Sequence, residues 1–261
     1  MAQRLPAVHY GETAVKRILA HSLPAALVAA IPLGLAADRP VPSWEARFTN
    51  EEITIDGKVD EEVWHETPAL SFFVPVTHEP ATTQTEGRIL WDETHLYVSF
   101  IAEDGDLRAE ETRRNHPVHL DDVLEFFFQV QGEEEYYYNI EINALGTVLD
   151  SRGGNPQGFD FENLRHALEL RGTLNDTTER DEGWSLEVAI PFSDIVELDG
   201  NPPQPGDRWK FHMSRYDYDD KKFEDGVELT STAALTRVNF HYHADWQELV
   251  FVGPDPAEEP E

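Results

Sequence analysis

Five polar residues occur at alternate positions on three segments of the chain, and their types suit the binding of a hydroxyl-rich ligand. The segments are 122–130, 136–143 and 209–214, and the residues are Glu125, Glu141, Asn143, His212 and Ser214. Carboxylates accept hydrogen bonds, while amide, imidazole and hydroxyl groups both donate and accept them. On neighbouring strands these side chains would line one face of a sheet. A solvated sheet face without a ligand predicts the same alternation and stays open as the alternative.

The two glutamates of this set also suggest a second kind of chemistry. Glycoside hydrolases use two carboxyl groups, about 5 Å apart in retaining enzymes and about 6.5–9.5 Å apart in inverting ones. The sequence does not fix the separation of Glu125 and Glu141, so hydrolysis of O-glycosyl bonds is the less favoured alternative. The chain contains no nucleophile elbow, P-loop or dinucleotide-binding motif. We therefore expect no catalytic residues.

Acidic residues in two short stretches are candidate metal ligands. Asp121 and Asp122 are adjacent, and Asp104 and Asp106 flank a glycine. Carboxylate oxygens suit calcium, although the spacing does not match an EF-hand loop. An Asp-Gly-Asp stretch is also more often a turn than a metal site. The candidate calcium ligands are therefore Asp121 and Asp122.

Two histidines at alternate positions suggest a different metal. His241 and His243 would share one face of a strand, which suits zinc or copper. No third ligand follows at a matching spacing, so surface histidines are the favoured interpretation. The chain has no cysteine, which excludes disulfides and thiolate ligands.

The hydrophobic pattern predicts the strands that these candidate residues need. Alternation with a period of two recurs along the chain, for example at 184–190, and a turn composition predicts a hairpin that joins 88–91 to 95–101. Helical signal is confined to 60–65 and 193–196. Many strands, regular turns and minimal helix predict an all-β fold, a two-sheet antiparallel β-sandwich of jelly-roll-like type.

Composition divides the chain into three parts. Residues 1–37 combine basic residues, an apolar stretch and a small-residue site, which predicts a signal peptide and export to the periplasm or the cell exterior. The Pro-rich stretch 39–44 is predicted to form neither helix nor central strand. One β-sandwich domain is expected over 44–252, followed at 253–261 by a disordered acidic tail.

The charge balance restricts the class of partner. The formal net charge is −31, with 51 acidic residues against 20 Lys plus Arg. Binding to nucleic acid requires basic residues that neutralise phosphates, so nucleic acid is not expected as a partner. After the N-terminal segment no run of 18 apolar residues occurs, and we expect no transmembrane segment in the mature chain.

Four short motifs follow one another along the predicted domain. They are IDGKVDEEVW at 55–64, DVLE at 122–125, YNIEINALG at 138–146 and GWSLEVAIP at 183–191. In this order they resemble the landmark stretches of the family-9 carbohydrate-binding modules, which belong to the DOMON-like β-sandwich superfamily. The ordered matches extend over nearly all of residues 53–252.

The resemblance implies a β-sandwich that binds sugars, often at chain ends, with bound calcium in some members. In the best-understood members two tryptophans clamp the sugar, and the matching positions here are His119 and Phe240. Glu125 and Asn143 match residue types that the family uses for hydroxyl contacts, whereas Glu141 replaces a basic residue. We expect an exported protein that binds an oligo- or polysaccharide, with support of polysaccharide breakdown as a further hypothesis.

The absence of both clamp tryptophans leaves a second interpretation open. A DOMON-like module with a decayed sugar site would serve a structural role, or would bind haem or a metal. Met213 is the only methionine after the initiator, and it alternates with Trp209 and Phe211. This pattern is typical of a core position, so haem ligation by Met213 is not favoured.

Overall fold

The structure of the protein is a computed structural model that describes residues 42–219 and 226–254. The predicted signal peptide and most of the predicted acidic tail lie outside these ranges. Within them the chain is nearly all β, with one α-helix, α1, at Glu62–Glu66. None of the helices in the described ranges is long and apolar enough to cross a membrane.

The described part of the chain contains twelve strands. They are β1 Ser43–Phe48, β2 Leu70–Ser71, β3 Thr85–Trp91, β4 His95–Glu103, β5 Val123–Gln129, β6 Tyr138–Asn143, β7 Val148–Arg152, β8 Arg165–Arg171, β9 Gly183–Pro191, β10 Arg208–Asp217, β11 Glu228–Ser231 and β12 Gln247–Val252. The predicted hairpin is confirmed as β3 and β4, and the alternating segments fall in β5, β6, β9 and β10. The expected helical turn at 60–65 becomes α1, and that at 193–196 becomes two 3-10 turns, Phe192–Asp194 and Val196–Leu198.

Hydrogen bonds join ten strands into one continuous path, in the order β7-β6-β5-β10-β12-β1-β3-β4-β9-β8. β11 pairs with β10, and β2 pairs with β3. The path curls around a single core, which is consistent with a β-sandwich, but its hydrogen bonds do not divide it into two separate sheets. The expectation of a purely antiparallel arrangement is wrong at β1, which runs parallel to both β12 and β3.

The prediction that the Pro-rich stretch forms no central strand is also wrong at its end. β1 begins at Ser43 and has a neighbour on each side. Proline removes a backbone donor, but Pro40 and Pro42 both precede the first residue of the strand. From Ser43 onward every residue can pair with the neighbouring strands.

Residues that alternate along the strands send one set of side chains into the core. Phe126 and Phe128 on β5, Trp209 on β10 and Phe251 on β12 belong to this core, and the Phe128 and Trp209 rings stack with centroids 5.4 Å apart. Met213 is fully buried in the same cluster, as its alternation predicted.

The opposite faces of the central strands are buried as well, because loops and short elements cover them. Trp64 of α1, with Ile53 and Val59, packs on the outer face of β3, β4 and β9. Phe240 and Trp246 from the segment before β12 cover the outer face of β5 and β10. Every residue of β5, β6 and β9 is therefore buried.

Glu187 on β9 links the segment around Trp64, which packs on the outer face of the sheet, to the sheet itself. Its carboxylate accepts hydrogen bonds from the backbone N–H of Asp56 at 3.1 Å and of Gly57 at 2.8 Å, and from Nε1 of Trp64 at 3.0 Å. Gly57 has a φ of +90°, and a Cβ there would lie 2.5 Å from the backbone carbon of Leu168. One buried carboxylate thus links the IDG motif to the GWSLEV motif.

We predict that Glu187→Ala lowers the free energy of unfolding by roughly 3 kcal/mol or more, because it leaves buried N–H donors without a partner. Urea denaturation would measure the change. Glu169→Ala, which removes an exposed glutamate from the neighbouring strand β8, should stay within about 0.5 kcal/mol of wild type. Equal losses in the two variants would contradict the assigned role of Glu187.

Candidate functional site

Three neighbouring strands, β6, β5 and β10, bring four of the predicted ligand-binding residues together. Glu125 lies directly opposite Glu141 on β6 and opposite Ser214 on β10. His212 lies two residues before Ser214 and opposite Phe127. These side chains share the sheet face that turns away from the core, which we call the polar face. Glu125 and Glu141 are called the carboxyl pair.

Both members of the carboxyl pair are almost completely enclosed. Glu125 is 2% exposed and Glu141 is 5% exposed. Ser214 Oγ donates a hydrogen bond to Glu125 Oε2 at 2.5 Å, and Asn139 Nδ2 donates one to Glu141 Oε1 at 2.7 Å. The other oxygen of Glu141, Oε2, is buried and has no hydrogen-bond partner.

Burial determines how the carboxyl pair ionises. It raises the pKa of Glu125 well above its ordinary value, and the charge of Glu141 adds to the increase. Burial also raises the pKa of Glu141 to about 8, although the hydrogen bond from Asn139 acts in the opposite direction. Like charges that lie opposite each other on adjacent strands repel. At neutral pH the pair therefore retains bound protons.

His212 is fully buried and plays a structural role on the polar face. Its Nε2 lies 2.9 Å from the carbonyl oxygen of Phe240, and its Nδ1 lies 3.0 Å from Oγ of Ser231. A carbonyl can only accept, so we assign the proton to Nε2 and the acceptor role to Nδ1. Burial lowers the pKa of His212 to about 3. The neutral ring thus supports the segment that carries Phe240.

Asn143 shares the polar face, but its amide group is used by the turn between β6 and β7. Its Oδ1 accepts from the backbone N–H of Leu145 at 3.1 Å and of Thr147 at 2.8 Å. Its Nδ2 donates to Asp121 Oδ2 at 2.8 Å and to the carbonyl of Glu111 at 2.9 Å. These bonds hold the turn, and a ligand contact by Asn143 stays a prediction.

The two positions that match the sugar clamp both pack against one ring, Tyr216 of β10. The ring centroids of His119 and Tyr216 are 6.0 Å apart, and those of Tyr216 and Phe240 are 5.4 Å apart. His119 and Tyr216 are half-buried, whereas Phe240 is 5% exposed. Sequence reasoning missed Tyr216, although it continues the alternation of His212 and Ser214 along β10.

Tyr137 and His241 complete the surroundings of the carboxyl pair. Tyr137 Oη lies 2.9 Å from His241 Nδ1, and the His241 ring meets Phe127 edge-on with centroids 5.2 Å apart. The pKa of Tyr137 is raised by burial and by the charge of Glu141. The pKa of His241 is lowered by burial and by His119. We call His119, Tyr137 and His241 the rim.

The expectation that His241 and His243 share one strand face is wrong. His243 begins a 3-10 turn, His243–Asp245, that precedes β12. Its Nδ1 lies 3.4 Å from Oε1 of Gln129, and both histidine rings contact Tyr137 from this irregular segment, with centroid distances of 5.8 Å for His241 and 6.2 Å for His243. The physical reason is that Trp246 Nε1 donates to the carbonyl of Phe240 at 2.8 Å and closes the segment into a loop.

The two adjacent aspartates that were predicted to bind calcium have different surroundings. Asp121 accepts hydrogen bonds at 3.0 Å from the backbone N–H of both Glu110 and Glu111. Asp122 Oδ2 accepts from the backbone N–H of Arg108 at 2.6 Å. Asp121 therefore fixes the loop before β5, whereas Asp122 belongs to a second acidic group.

That group consists of Asp104, Asp122 and Asp217, which are all buried and each offer a carboxylate oxygen within 4.8 Å of the others. Arg215 contributes positive charge, since its Nη2 lies 2.9 Å from Asp104 Oδ2 and 3.4 Å from Asp217 Oδ1. Three carboxyl groups thus face one guanidinium, and burial raises the pKa of Asp104 to about 6 and the pKa of Asp122 well above its ordinary value. Hard oxygen donors of this kind fit a calcium ion.

Comparison with known families identifies the class of protein. Residues 55–253 match the family described as carbohydrate family 9 binding domain-like. The chain belongs to this family. No curated protein sequence matches the chain.

Solved structures support the fold. A putative carbohydrate-binding protein from Bacteroides uniformis ATCC 8492 matches with a TM-score of 0.63 and 19% identity over 81% of this chain and 99% of that one. A family 9 carbohydrate binding module from Caldicellulosiruptor kristjanssonii in complex with cellotriose matches with a TM-score of 0.57 and 13% identity over 84% of this chain and 98% of that one. A family 9 carbohydrate binding module from the same organism in complex with glucose matches with a TM-score of 0.53 and 14% identity over 84% of this chain and 100% of that one.

The raised pKa of Glu141 predicts a dependence of stability on pH. Between its ordinary value of 4.5 and about 8, the folded state binds a proton that the unfolded state has lost, so stability falls as pH rises. The slope is up to about 1.4 kcal/mol per pH unit for this group. Urea unfolding at pH 5.5 and 7.0 should show a smaller decrease in Glu141→Gln than in wild type.

Glu169→Gln is the matched control for this measurement, because Glu169 is exposed on β8. It should retain the wild-type dependence on pH. An unchanged slope in Glu141→Gln would mean that Glu141 ionises normally in the folded protein.

Proposed function

We propose that this protein binds an oligo- or polysaccharide at the polar face of β6, β5 and β10. The observation that carries the proposal is the enclosed cluster of carboxyl and hydroxyl groups beneath a rim of imidazole and phenol rings. Membership of the carbohydrate family 9 binding domain-like family supports it. Members of the same fold are known in complex with cellotriose and with glucose.

The rim has the chemistry that a sugar ring requires. Aromatic and imidazole rings present flat surfaces to the apolar C–H face of a pyranose. His119 and Tyr137 of the rim, and Tyr216 next to His119, all keep part of their surface open to solvent. The Tyr137 hydroxyl and the imidazole nitrogens can donate to or accept from sugar hydroxyls. The nearby carboxyl pair, which retains bound protons at neutral pH, supplies both donors and acceptors in a water-poor environment, where hydrogen bonds are strengthened.

His119→Ala should weaken saccharide binding by at least about fivefold, because it removes a stacking surface and a polar tip from the rim. Isothermal titration against cellotriose and a panel of other oligosaccharides measures the effect. His65→Ala is the matched control, since His65 is an exposed histidine on α1 outside the polar face. Equal affinity in wild type and His119→Ala would move the site away from the rim.

We also propose that Asp104, Asp122 and Asp217 bind a calcium ion. The convergence of three buried carboxyl groups with oxygens within 4.8 Å of one another supports the proposal. A bound calcium ion would offset the repulsion between carboxylates that water does not reach. It would thereby stabilise the connection between β4, β5 and β10.

After treatment with EDTA, added calcium should raise the melting temperature of the wild type but not of Asp217→Asn. Anything that binds the folded state alone stabilises it. Asp121→Asn serves as the control, because Asp121 is a buried aspartate outside the group. Absence of any calcium response in the wild type would refute the proposal.

Export of the protein is a further part of the proposal. Support comes from the sequence of residues 1–37, which has the charge, apolar stretch and small-residue site of a signal peptide. An exported saccharide-binding protein would support polysaccharide breakdown by holding the polymer. Mass spectrometry of protein recovered outside the cytoplasm tests this idea, since retention of residues 1–37 would contradict it.

A further inference from the structure

We propose that the carboxyl pair makes this site selective for saccharides that carry a protonated amine, so that the preferred ligand is an amino sugar. This inference rests on the proposed function and deepens it by naming a substrate class. It follows from the composition of the floor of the site, where two carboxyl groups face a ligand without a basic partner.

The sheet register forces the two carboxyl groups together. Glu125 and Glu141 are Cα partners on adjacent antiparallel strands, and side chains of such a pair have Cβ atoms about 4.5–5.5 Å apart. Like charges at these positions destabilise a sheet. The pair avoids this repulsion by retaining protons at neutral pH, and a positively charged group beside it would favour the ionised form.

The hydrogen bonds of the pair leave an acceptor for such a group. Ser214 and Asn139 each satisfy one oxygen, but Oε2 of Glu141 is buried without a partner. A carboxylate oxygen can only accept. An ammonium group has three N–H donors and no acceptor, so it matches two neighbouring carboxylates better than a neutral hydroxyl does.

The described part of the chain supplies no cation to the pair. No Lys or Arg within it forms an ion pair with Glu125 or Glu141. Lys210 is on the same strand as Ser214, but four residues away, which is about 13 Å along β10. Arg215 faces the opposite side of β10, toward Asp104.

The other titratable groups around the pair are uncharged near neutral pH. His212 is buried with a pKa lowered to about 3. Burial also lowers the pKa of His119 and, together with His119, that of His241. Tyr137 has a raised pKa and stays a neutral phenol. None of these rings supplies a positive charge, so a cation that would favour the ionised form of the carboxyl pair must come from the ligand.

A ligand would reach the pair through the rim. Glu141 is still 5% exposed, and Tyr137, which is close enough to feel the charge of Glu141, hydrogen-bonds to His241. Both side chains lie at the surface end of the site, and each keeps part of its area open to solvent. Water can replace their mutual hydrogen bond when it opens.

The state of the pair also predicts that proton release accompanies binding. Without a ligand Glu141, with a pKa of about 8, is protonated at pH 6. An ammonium group stabilises the carboxylate and therefore displaces this proton. A neutral sugar has no such effect, so proton release separates the two ligand classes.

Three trisaccharides of the same linkage test the inference: the β-1,4 trimer of glucosamine, its N-acetylated counterpart and cellotriose. They differ only in the group at C2, and the amine is charged at pH 6. Titration calorimetry at 0.15 M salt should give at least about tenfold tighter binding of the glucosamine trimer. Repeating the titration in two buffers with different ionisation enthalpies should reveal proton release for this ligand alone.

Glu141→Gln keeps the shape of the side chain but cannot ionise, and it should abolish both the preference and the proton release. Glu169→Gln removes an exposed charge from β8 and should retain both, which controls for general attraction to an acidic protein. Equal or weaker binding of the glucosamine trimer, or a preference that survives Glu141→Gln, would overturn the inference while the proposed function stands. Absence of binding by all three trisaccharides would overturn both.

Discussion

The constraint on which the rest of the structure depends is that the central strands are buried on both faces. Every residue of β5, β6 and β9 is buried, so a polar side chain on the outer face cannot rely on water. Glu187 meets this constraint with three N–H donors from the segment that covers it. His212 meets it with a carbonyl and a hydroxyl. The covers and the sheet are thus held together by the hydrogen bonds that their burial requires.

The carboxyl pair departs from this rule, and the contrast within β10 is informative. On the core side of that strand, Arg215 is placed between Asp104 and Asp217 and offsets part of their charge. On the polar side, Glu125 and Glu141 have only neutral donors. Natural proteins tolerate such an unbalanced group chiefly where it serves a function. The energetic cost at the pair therefore supports the proposal that a ligand binds there.

The two positions that the resemblance matched to a sugar clamp lie near the pair. His119 and Phe240 both pack against Tyr216. Phe240 is drawn inward, because His212 and Trp246 both bond its carbonyl oxygen. Of these two positions, only His119 is half-buried and keeps part of its surface open to solvent.

The sequence by itself determined that the chain is nearly all β and that Glu125, Glu141 and Ser214 each lie on the face of their own strand opposite its aromatic core positions, because alternation with a period of two is a local property. It did not determine that β1 is a parallel central strand, nor that Asp121 and Asp122 serve different loops. Those features, and the direct opposition of the carboxyl pair, depend on which strands pair and in which register. Only the tertiary structure decides this, because strands far apart in sequence become neighbours through packing that no local pattern encodes.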